Sequence, residues 1–219
     1  MTDPLALLIA FAYVSLILAL CEGLRRGLRL SVEFTRKFVY IGVGMIAFPL
    51  VVLFQSWQFA IIPPLVFIVV NYVSYRQQIF AGMETGQKGH LGTVYFPISF
   101  SVLIPLLWSQ PALLVASLMP MTCGDAFAAI LGKCFGAHKF AILGHTLSVE
   151  GSLAMFAFSF AATFAALVVF AVPSASSLLL AFAAALAATL VEALSPWGID
   201  NLTVPLTSAL VLAALKSVM

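Results

Sequence analysis

Hydrophobic residues along this chain form eight long runs separated by short polar breaks. A membrane-spanning helix needs about 20 predominantly apolar residues, and each run reaches or approaches that length. The pattern therefore predicts an all-α fold: a polytopic transmembrane helix bundle of about eight spans, joined by short loops and forming one domain over residues 1–219. The predicted spans are residues 4–21, 38–54, 57–75, 93–109, 111–131, 152–172, 177–194 and 202–216.

The fifth run is the least regular, because Pro120 and Gly124 interrupt its apolar sequence. Such residues are tolerated at membrane depth where protein or a cavity satisfies the freed backbone groups. The run is therefore compatible either with one helix or with two half-helices.

The composition agrees with a protein that lies within a membrane. Of 219 residues, 63% are hydrophobic and only 8% are charged, and the mean hydropathy is +1.14. Soluble domains carry about 25% charged residues, so a lipid bilayer is the expected surrounding. The net charge of +2 is too small to indicate a nucleic-acid partner. The first run carries Asp3 where a signal peptide would carry basic residues, so we expect it to remain as a helix.

Basic residues fall in alternate connections, and the positive-inside rule converts this pattern into an orientation. The residues concerned are Arg25, Arg26, Arg29, Arg36, Lys37, Arg76, Lys88, Lys133 and Lys139. Their distribution predicts a non-cytoplasmic amino terminus and a charged cytoplasmic face that would carry the active site. Most acidic residues fall in or near the same connections: Glu22, Glu33, Glu84, Asp125, Glu150, Glu192 and Asp200.

Asp125 stands in the segment CGDAFAAILGKCFG, inside or at the cytoplasmic end of the fifth span. An unpaired carboxylate at such a depth costs about 3 kcal/mol, so a partner is expected. One alternative is structural, with a salt bridge to Lys133 or an N-cap of a half-helix. The other is a ligand for Mg²⁺, which binds oxygen donors and commonly uses one or two carboxylates together with substrate phosphates.

The connection after the fifth span, GKCFGAHKFAILGHTLSVEGS, is rich in glycine and lysine. Glycines let backbone N–H groups approach phosphate oxygens, and lysines supply positive charge. The candidates for nucleotide or phosphate binding in this connection are Gly132, Lys133, Gly136, Lys139 and Ser148. A flexible basic loop that only obeys the positive-inside rule fits the same composition.

Four polar residues near the last three spans are further candidates. Glu150 stands at the start of the sixth span, where the helix macrodipole favours a carboxylate, so it is either a helix-terminal charge or a metal ligand. Glu192 is embedded in apolar sequence at the end of the seventh span and needs a partner or a metal. Asp200 and Asn201 open the eighth span and are residue types that cap helices well.

The segment SVEFTRKFVYIGVG leads into the second span. Glu33 and Lys37 are one helical turn apart, so a surface ion pair between them is one interpretation. Arg36 and Lys37 are also candidates for phosphate binding, because a guanidinium can hold a phosphate through two parallel hydrogen bonds.

Together these segments resemble the membrane-embedded kinases of isoprenoid alcohols, the phytol, farnesol and dolichol kinase family, which is distantly similar to phosphatidate cytidylyltransferases. The resemblance rests on EFTRKFVYIGVG, GTVYFPIS, CGDAFAAILGKCFGAHKF, SVEGSLAMF and EALSPWGIDNLTVPLTS, and it touches most of the chain beyond the first span. The Gly-Asp segment with the downstream Ser-x-Glu-Gly-Ser is its most specific signature. The sequence DNLTVPL is most similar to the phytol kinase branch.

The resemblance implies Mg²⁺-dependent transfer of the terminal phosphoryl group of a nucleoside triphosphate, typically CTP, to the hydroxyl of an isoprenoid alcohol such as phytol. Asp125 and Glu150 match the family's acidic positions, and we expect both to bind Mg²⁺ and to be catalytic. Asp200, in the last motif, is expected to position or deprotonate the alcohol. Glu192 and Asn201 are expected to help position the substrate, and an apolar groove between helices is expected to hold the isoprenoid chain.

Two positions depart from the family pattern. Leu147 stands where a lysine usually precedes the serine, and Tyr40 stands where a histidine often follows the Arg-Lys pair. These departures leave open a non-catalytic lipid-binding protein, and two further functions are compatible with the same residues. A cytidylyltransferase that acts on a lipid phosphate would use the same metal and loop chemistry, whereas a membrane transporter would use Asp125 and Glu192 as ion or proton sites.

Overall fold

The computed structural model describes residues 2–77, 79 and 90–218, and these form an almost entirely helical bundle. Glu84 and Lys88, two of the charged residues assigned to the cytoplasmic face, lie outside the described residues. Within the described residues, seven helices are long and apolar enough to cross a membrane, and one further apolar helix is shorter. We number the eight helices α1 to α8: Asp3–Leu28, Val32–Leu53, Trp57–Gln77, Gly92–Leu107, Pro111–Phe135, Val149–Val169, Ser174–Ala193 and Asp200–Val218. The predicted all-α bundle of about eight spans is confirmed, and the chain has the helices of an integral multi-pass membrane protein.

Two of the helices near the amino terminus are divided by short irregular turns. The segments are Val32–Gly44 and Ala47–Leu53 in α2, and Trp57–Ala60 and Ile62–Gln77 in α3. Ser31 caps the start of α2, because its hydroxyl accepts a hydrogen bond from the Phe34 backbone N–H. This cap fixes where α2 begins, one turn ahead of the basic pair Arg36 and Lys37.

α5 is one continuous helix with a π-helical turn in its middle. The turn covers Pro120–Gly124 and joins the segments Pro111–Met119 and Asp125–Phe135. The backbone N–H of Asp125 donates to the carbonyl of Pro120, which is the wider hydrogen-bonding step of a π-turn. The alternative of two half-helices is therefore wrong. The alternative that Asp125 is an N-cap is wrong as well, because its φ of −61° and ψ of −38° are helical.

A short β-hairpin joins α5 to α6. Strand β1, Lys139–Ile142, pairs in antiparallel fashion with strand β2, His145–Ser148. Leu143 and Gly144 form the turn, with φ values of 46° and 82°, as a two-residue hairpin that follows the right-handed strand twist requires. The glycine- and lysine-rich connection is thus an ordered hairpin rather than a flexible loop.

α5 lies at the centre of the bundle. In its most apolar stretch 78% of the residues are buried, compared with 17% in α1, which lies at the periphery. α6 packs against α5 and α7, and α7 packs against α8. Residues carried by α5 are therefore surrounded by protein, whereas much of α1 faces the lipid.

Two polar contacts identify the end of the bundle that lies opposite the basic connections. The Asp3 carboxylate accepts hydrogen bonds from the Gln55 backbone N–H, at 2.7 Å, and from the Ser56 hydroxyl, at 2.9 Å. Lys216 donates to the Gln110 side chain at 3.2 Å. Asp3 at the start of α1 and Lys216 near the end of α8 therefore meet the α2–α3 and α4–α5 connections at one end, as the alternating topology predicts. The side of the membrane on which this end lies stays a prediction.

Candidate active site

A buried ion pair joins α2 to α5 near the other end of the bundle. The Lys37 Nζ atom lies 2.8 Å from Asp125 Oδ1 and 2.6 Å from Asp125 Oδ2. The side chains are only 6% and 7% exposed, so each charge depends on the other in a poorly solvated environment. The two alternatives weighed for these residues are wrong: Asp125 does not pair with Lys133, and Lys37 does not pair with Glu33.

Arg36, next to Lys37 on α2, is buried without a full set of hydrogen-bond partners. Its side chain is about 8% exposed, and its Nε and Nη1 atoms have no acceptor among the described residues. Its guanidinium carbon lies 5.8 Å from the centre of the Tyr40 ring, and the Lys37 Nζ atom lies 5.5 Å from the same centre. The ring of Tyr40 therefore makes cation–π contacts with both side chains. A buried guanidinium with unsatisfied N–H groups is well suited to receive an anion.

Two more carboxylates lie close enough to Asp125 to interact with its charge. Glu192, near the end of α7, experiences repulsion from Asp125 and Asp200, which Lys37 partly offsets. Asp200, at the start of α8, is repelled by Asp125 and attracted by Lys37 and Arg36. We call Asp125, Glu192 and Asp200 the carboxylate cluster. Its charges come from three helices and face the two cations of α2.

Two adjoining polar cavities open beside the carboxylate cluster. The first encloses about 890 Å³, including space open to solvent, and its wall includes Asp125, Lys139 and Glu192. The second encloses about 1320 Å³ on the same measure, and its wall includes His90, Glu192 and Asp200. Glu192 lies on both walls, so the cavities meet at the cluster. The adjoining cavities therefore give a ligand from the aqueous side access to the cluster.

Several residues predicted to bind phosphate lie around the first cavity. Gly132, Lys133, Lys139 and Ser148 are all on its wall. Lys133 also pairs with Glu33 at 2.5 Å in a solvent-exposed position. The Ser148 hydroxyl accepts a hydrogen bond from the Gly151 backbone N–H at 3.1 Å and so acts as the N-cap of α6.

Close packing of small residues holds α5 against α6 beside this wall. A Cβ atom on Gly132 would lie 3.1 Å from Ser148 Oγ and 3.3 Å from Gly151 Cα. A Cβ atom on Gly136 would meet Ser148 as well, at 2.7 Å from its Oγ. Gly132 and Gly136 therefore allow the two helices to approach, which is a structural reason for these glycines in addition to the predicted role in phosphate binding.

Glu150 is the one predicted acidic residue that points elsewhere. It lies in the first turn of α6, and one of its carboxylate oxygens is 2.7 Å from His138 Nδ1. Both oxygens also lie 3.3 Å from the His138 backbone nitrogen. The structure therefore brings Glu192 and Asp200, rather than Glu150, into electrostatic contact with Asp125. The pairing of Asp125 with Glu150 around one metal stays a prediction.

Asn201, predicted to position the substrate, is almost fully buried at the start of α8. Its side-chain amide donates to the Gly198 carbonyl at 3.3 Å, while its Oδ1 atom has no partner among the described residues. Its backbone carbonyl accepts a hydrogen bond from the Ser99 hydroxyl of α4. Gly198, with φ of 82°, packs so closely on Gly92 that a Cβ atom there would lie 2.7 Å from Gly92 Cα. These contacts bring the start of α4 beside Asp200.

His90 is a member of this site that the sequence interpretation did not include. It stands two residues before the start of α4, is half-buried, and lies on the wall of the second cavity. Burial, followed by the positive charges of Arg36 and Lys37, lowers the pKa of His90 to about 4. Its ring is therefore neutral near pH 7. Its position two residues before GTVYFPIS was the available signal, but a lone histidine beside a polar connection is not distinctive in sequence.

Comparison with known proteins identifies the family. The chain is 33% identical over 209 residues to the phytol kinase of Synechocystis sp., an alignment that covers 93% of this chain and 88% of that protein. The chain belongs to the phytol kinase family. No protein-family profile matches the sequence, and no solved structure is similar to it. Because the match to the phytol kinase takes in nearly the whole chain, the family assignment applies to the bundle as a unit and not to one helix pair.

Proposed function

We propose that this member of the phytol kinase family transfers the terminal phosphoryl group of a nucleoside triphosphate, CTP, to the hydroxyl of a membrane-embedded isoprenoid alcohol such as phytol. The transfer would use Mg²⁺ and take place at the cytoplasmic membrane face. The observation that carries the proposal is the meeting of two buried cations, Arg36 and Lys37, with the carboxylate cluster at one end of the bundle. Phosphoryl transfer depends mainly on positioning and charge neutralisation, which such an arrangement supplies.

The carboxylate cluster fits Mg²⁺ that arrives with a nucleotide. No group of three His, Cys, Asp or Glu side chains within the described ranges forms a ready-made metal cage. Mg²⁺ rarely uses such a cage and commonly combines one or two carboxylates with substrate phosphates and water. Asp125 and Glu192, which share the wall of the first cavity, are the residues we propose as its ligands. The ion would neutralise the charge that develops on the phosphate oxygens.

The cations have complementary roles in this proposal. Arg36 holds phosphate oxygens through the Nε and Nη1 groups that lack an acceptor among the described residues. Lys37 neutralises Asp125 in the resting protein and turns toward phosphate when the nucleotide binds. Lys133 and Lys139 lie on the wall of the first cavity and attract the triphosphate from the aqueous side.

The reaction forms one bond and breaks another. The alcohol oxygen attacks the terminal phosphorus, a new O–P bond forms, and the bond between that phosphorus and the bridging oxygen breaks, so that the nucleoside diphosphate leaves. Asp200 accepts the hydroxyl proton in this scheme. Asp200 lies within range of the charges of Asp125, Arg36 and Lys37, so it belongs to the charged site at which the acceptor would react.

Labelled nucleotides test the proposal directly. Purified protein in lipid nanodiscs is incubated with Mg²⁺, phytol, and CTP labelled either at the α- or at the γ-phosphorus, and ATP and GTP are compared as donors. A kinase places only the γ-label on the lipid. A cytidylyltransferase given a lipid phosphate would instead transfer the α-label and release pyrophosphate. Four alcohols are tested as acceptors: phytol, farnesol, geranylgeraniol and a polyprenol. The proposal is rejected if none of them acquires the γ-phosphoryl group of CTP, ATP or GTP.

A further inference from the structure

An apolar groove lies beside α2, along the helix face that carries Tyr40, Val43 and Leu50. Helices α1, α2, α3 and α4 form it, and it has a volume of about 690 Å³, which includes space open to the surroundings. Almost all of its wall is aliphatic or aromatic. The polar side chains on the wall are Tyr40, Asn71 and Thr93, and all three belong to the ends of α2, α3 and α4 that lie next to the basic connections. The groove therefore has one polar end and one apolar end.

The polar end adjoins the candidate active site. Tyr40 lies on the groove wall, and the centre of its ring is 5.8 Å from the Arg36 guanidinium carbon and 5.5 Å from Lys37 Nζ. Thr93 is 4% exposed, and its hydroxyl has no hydrogen-bond partner among the described residues. Asn71 is already engaged, because its amide donates to the Thr93 carbonyl at 2.7 Å. A buried hydroxyl without a partner at the polar end is suited to receive the hydroxyl of a ligand.

The groove is short compared with the membrane. Its wall runs along α2 from Tyr40 to Leu50, a rise of roughly 15 Å at 1.5 Å per residue. On α1 it extends from Leu18 to Ala10, and on α3 it reaches Pro63. This length is about half of the roughly 30 Å hydrocarbon core of a bilayer. A short isoprenoid chain would fit within the groove, whereas a long polyprenol would have to leave it for the lipid.

We infer that this groove binds the chain of a short acyclic isoprenoid alcohol and that Leu50 and Ala10 limit the chain length the protein accepts. The inference rests on the proposed function, since it assigns the acceptor to a specific site. The hydroxyl lies at the Thr93 end, next to Arg36 and Lys37, and the chain extends toward Leu50. The acceptor thus enters from the lipid through the α1–α4 groove, while the nucleotide enters from water through the polar cavities beside the carboxylate cluster.

Chain-length selectivity tests the inference. Leu50→Phe fills the apolar end and is expected to lower kcat/KM for geranylgeraniol, with four isoprene units, by about tenfold more than for geraniol, with two. Leu50→Ala should move the preference in the opposite direction. Leu106→Phe is the matched control, because Leu106 is 67% exposed on α4 and lies outside the groove. Thermal unfolding of each variant identifies any that fails to fold.

A binding measurement separates this inference from the proposed function. Wild-type protein in nanodiscs is photolabelled with a diazirine-bearing geranylgeraniol, with and without excess unlabelled geranylgeraniol, and the labelled peptides are identified by mass spectrometry. Competed labelling of the groove-facing parts of α1 to α4 supports the site, even if no alcohol is phosphorylated and the kinase proposal fails. Active enzyme whose competed label falls on α6 or α7, or whose chain-length ratio is unchanged in Leu50→Phe, overturns the groove assignment alone.

Discussion

Lys37 and Asp125 are 88 residues apart in the sequence, yet their side chains form a buried ion pair with Nζ–O distances of 2.6 and 2.8 Å. The pair joins α2 to the central helix α5. It also keeps the Asp125 charge compensated before any nucleotide binds. Breaking a buried ion pair by removing one partner costs about 3–5 kcal/mol, because the remaining charge is left without compensation. Asp125, a predicted metal ligand, therefore also contributes to stability.

Replacement of Asp125 tests both contributions. We expect Asp125→Asn to abolish phosphoryl transfer and to reduce the free energy of unfolding by about 3 kcal/mol. The double variant Lys37→Met/Asp125→Leu should regain the lost stability without regaining activity, since two apolar side chains replace the pair. Thermal unfolding in detergent and transfer from γ-labelled CTP measure the two properties. Full activity in Asp125→Asn would exclude the proposed role.

Glu192 and Glu150 are alternative candidates for the second carboxylate ligand of Mg²⁺. We expect Glu192→Gln to reduce kcat by about 10²–10³-fold and to raise the Mg²⁺ concentration that gives half-maximal activity, because it lies in the carboxylate cluster. Glu150→Gln should have a much smaller effect, since Glu150 contacts His138. Mg²⁺ titrations of the two variants make the comparison. A larger loss in Glu150→Gln would instead favour the metal site predicted from sequence.

Arg36 is expected to show a conflict between activity and stability. If its unsatisfied N–H groups serve phosphate binding, Arg36→Met should lower kcat/KM for the nucleotide by about 10²–10³-fold. The same change removes a buried, incompletely paired charge, so the melting temperature should stay equal or rise. Arg36→Lys keeps the charge but loses the planar fork, and an intermediate activity is expected. A large fall in the melting temperature of Arg36→Met would show that Arg36 is a structural residue.

His90 is expected to make the fold sensitive to acid. Its pKa is about 4 in the folded protein, compared with an ordinary value near 6.5. As the pH falls from about 6.5 toward 4, the unfolded chain binds a proton that the folded chain does not, so stability decreases across this window. Arg36, Lys37 and Asp125 are the charged groups that act on His90. His90→Gln should therefore lose less melting temperature between pH 7 and pH 5 than the wild type, and an unchanged loss would contradict the assignment.

Much of the architecture could be predicted from sequence because the membrane imposes it. Every backbone N–H and C=O within a bilayer must be satisfied internally, so long apolar runs become helices. Details that depend on local hydrogen bonding were less accessible. Pro120 and Gly124 suggested a broken helix, but a π-turn keeps the backbone bonded. Likewise, the adjacent residues Leu143 and Gly144 were not recognised from sequence as a hairpin turn.

The candidate site was predicted well as a region and less well as a set of contacts. Asp125, Lys133 and Glu192 were all recognised, and all lie on one cavity wall. Their partners were harder to anticipate, because spacing along one helix favoured Glu33 with Lys37, whereas helix packing pairs Lys37 with Asp125. His90 was missed for the same reason. Its environment is created by Arg36, Lys37 and Asp125, which are distant in sequence, and nothing local indicates it.

The π-turn of α5 determines the direction in which Asp125 points. A turn of this kind holds one residue more than an ordinary α-turn, which rotates the following segment by about 100° relative to a regular continuation. Deleting Thr122 or Cys123 would restore a regular helix while leaving the composition almost unchanged. The carboxylate of Asp125 would then swing away from α2 and face a different neighbour, so the alignment of the whole charged centre depends on one inserted position.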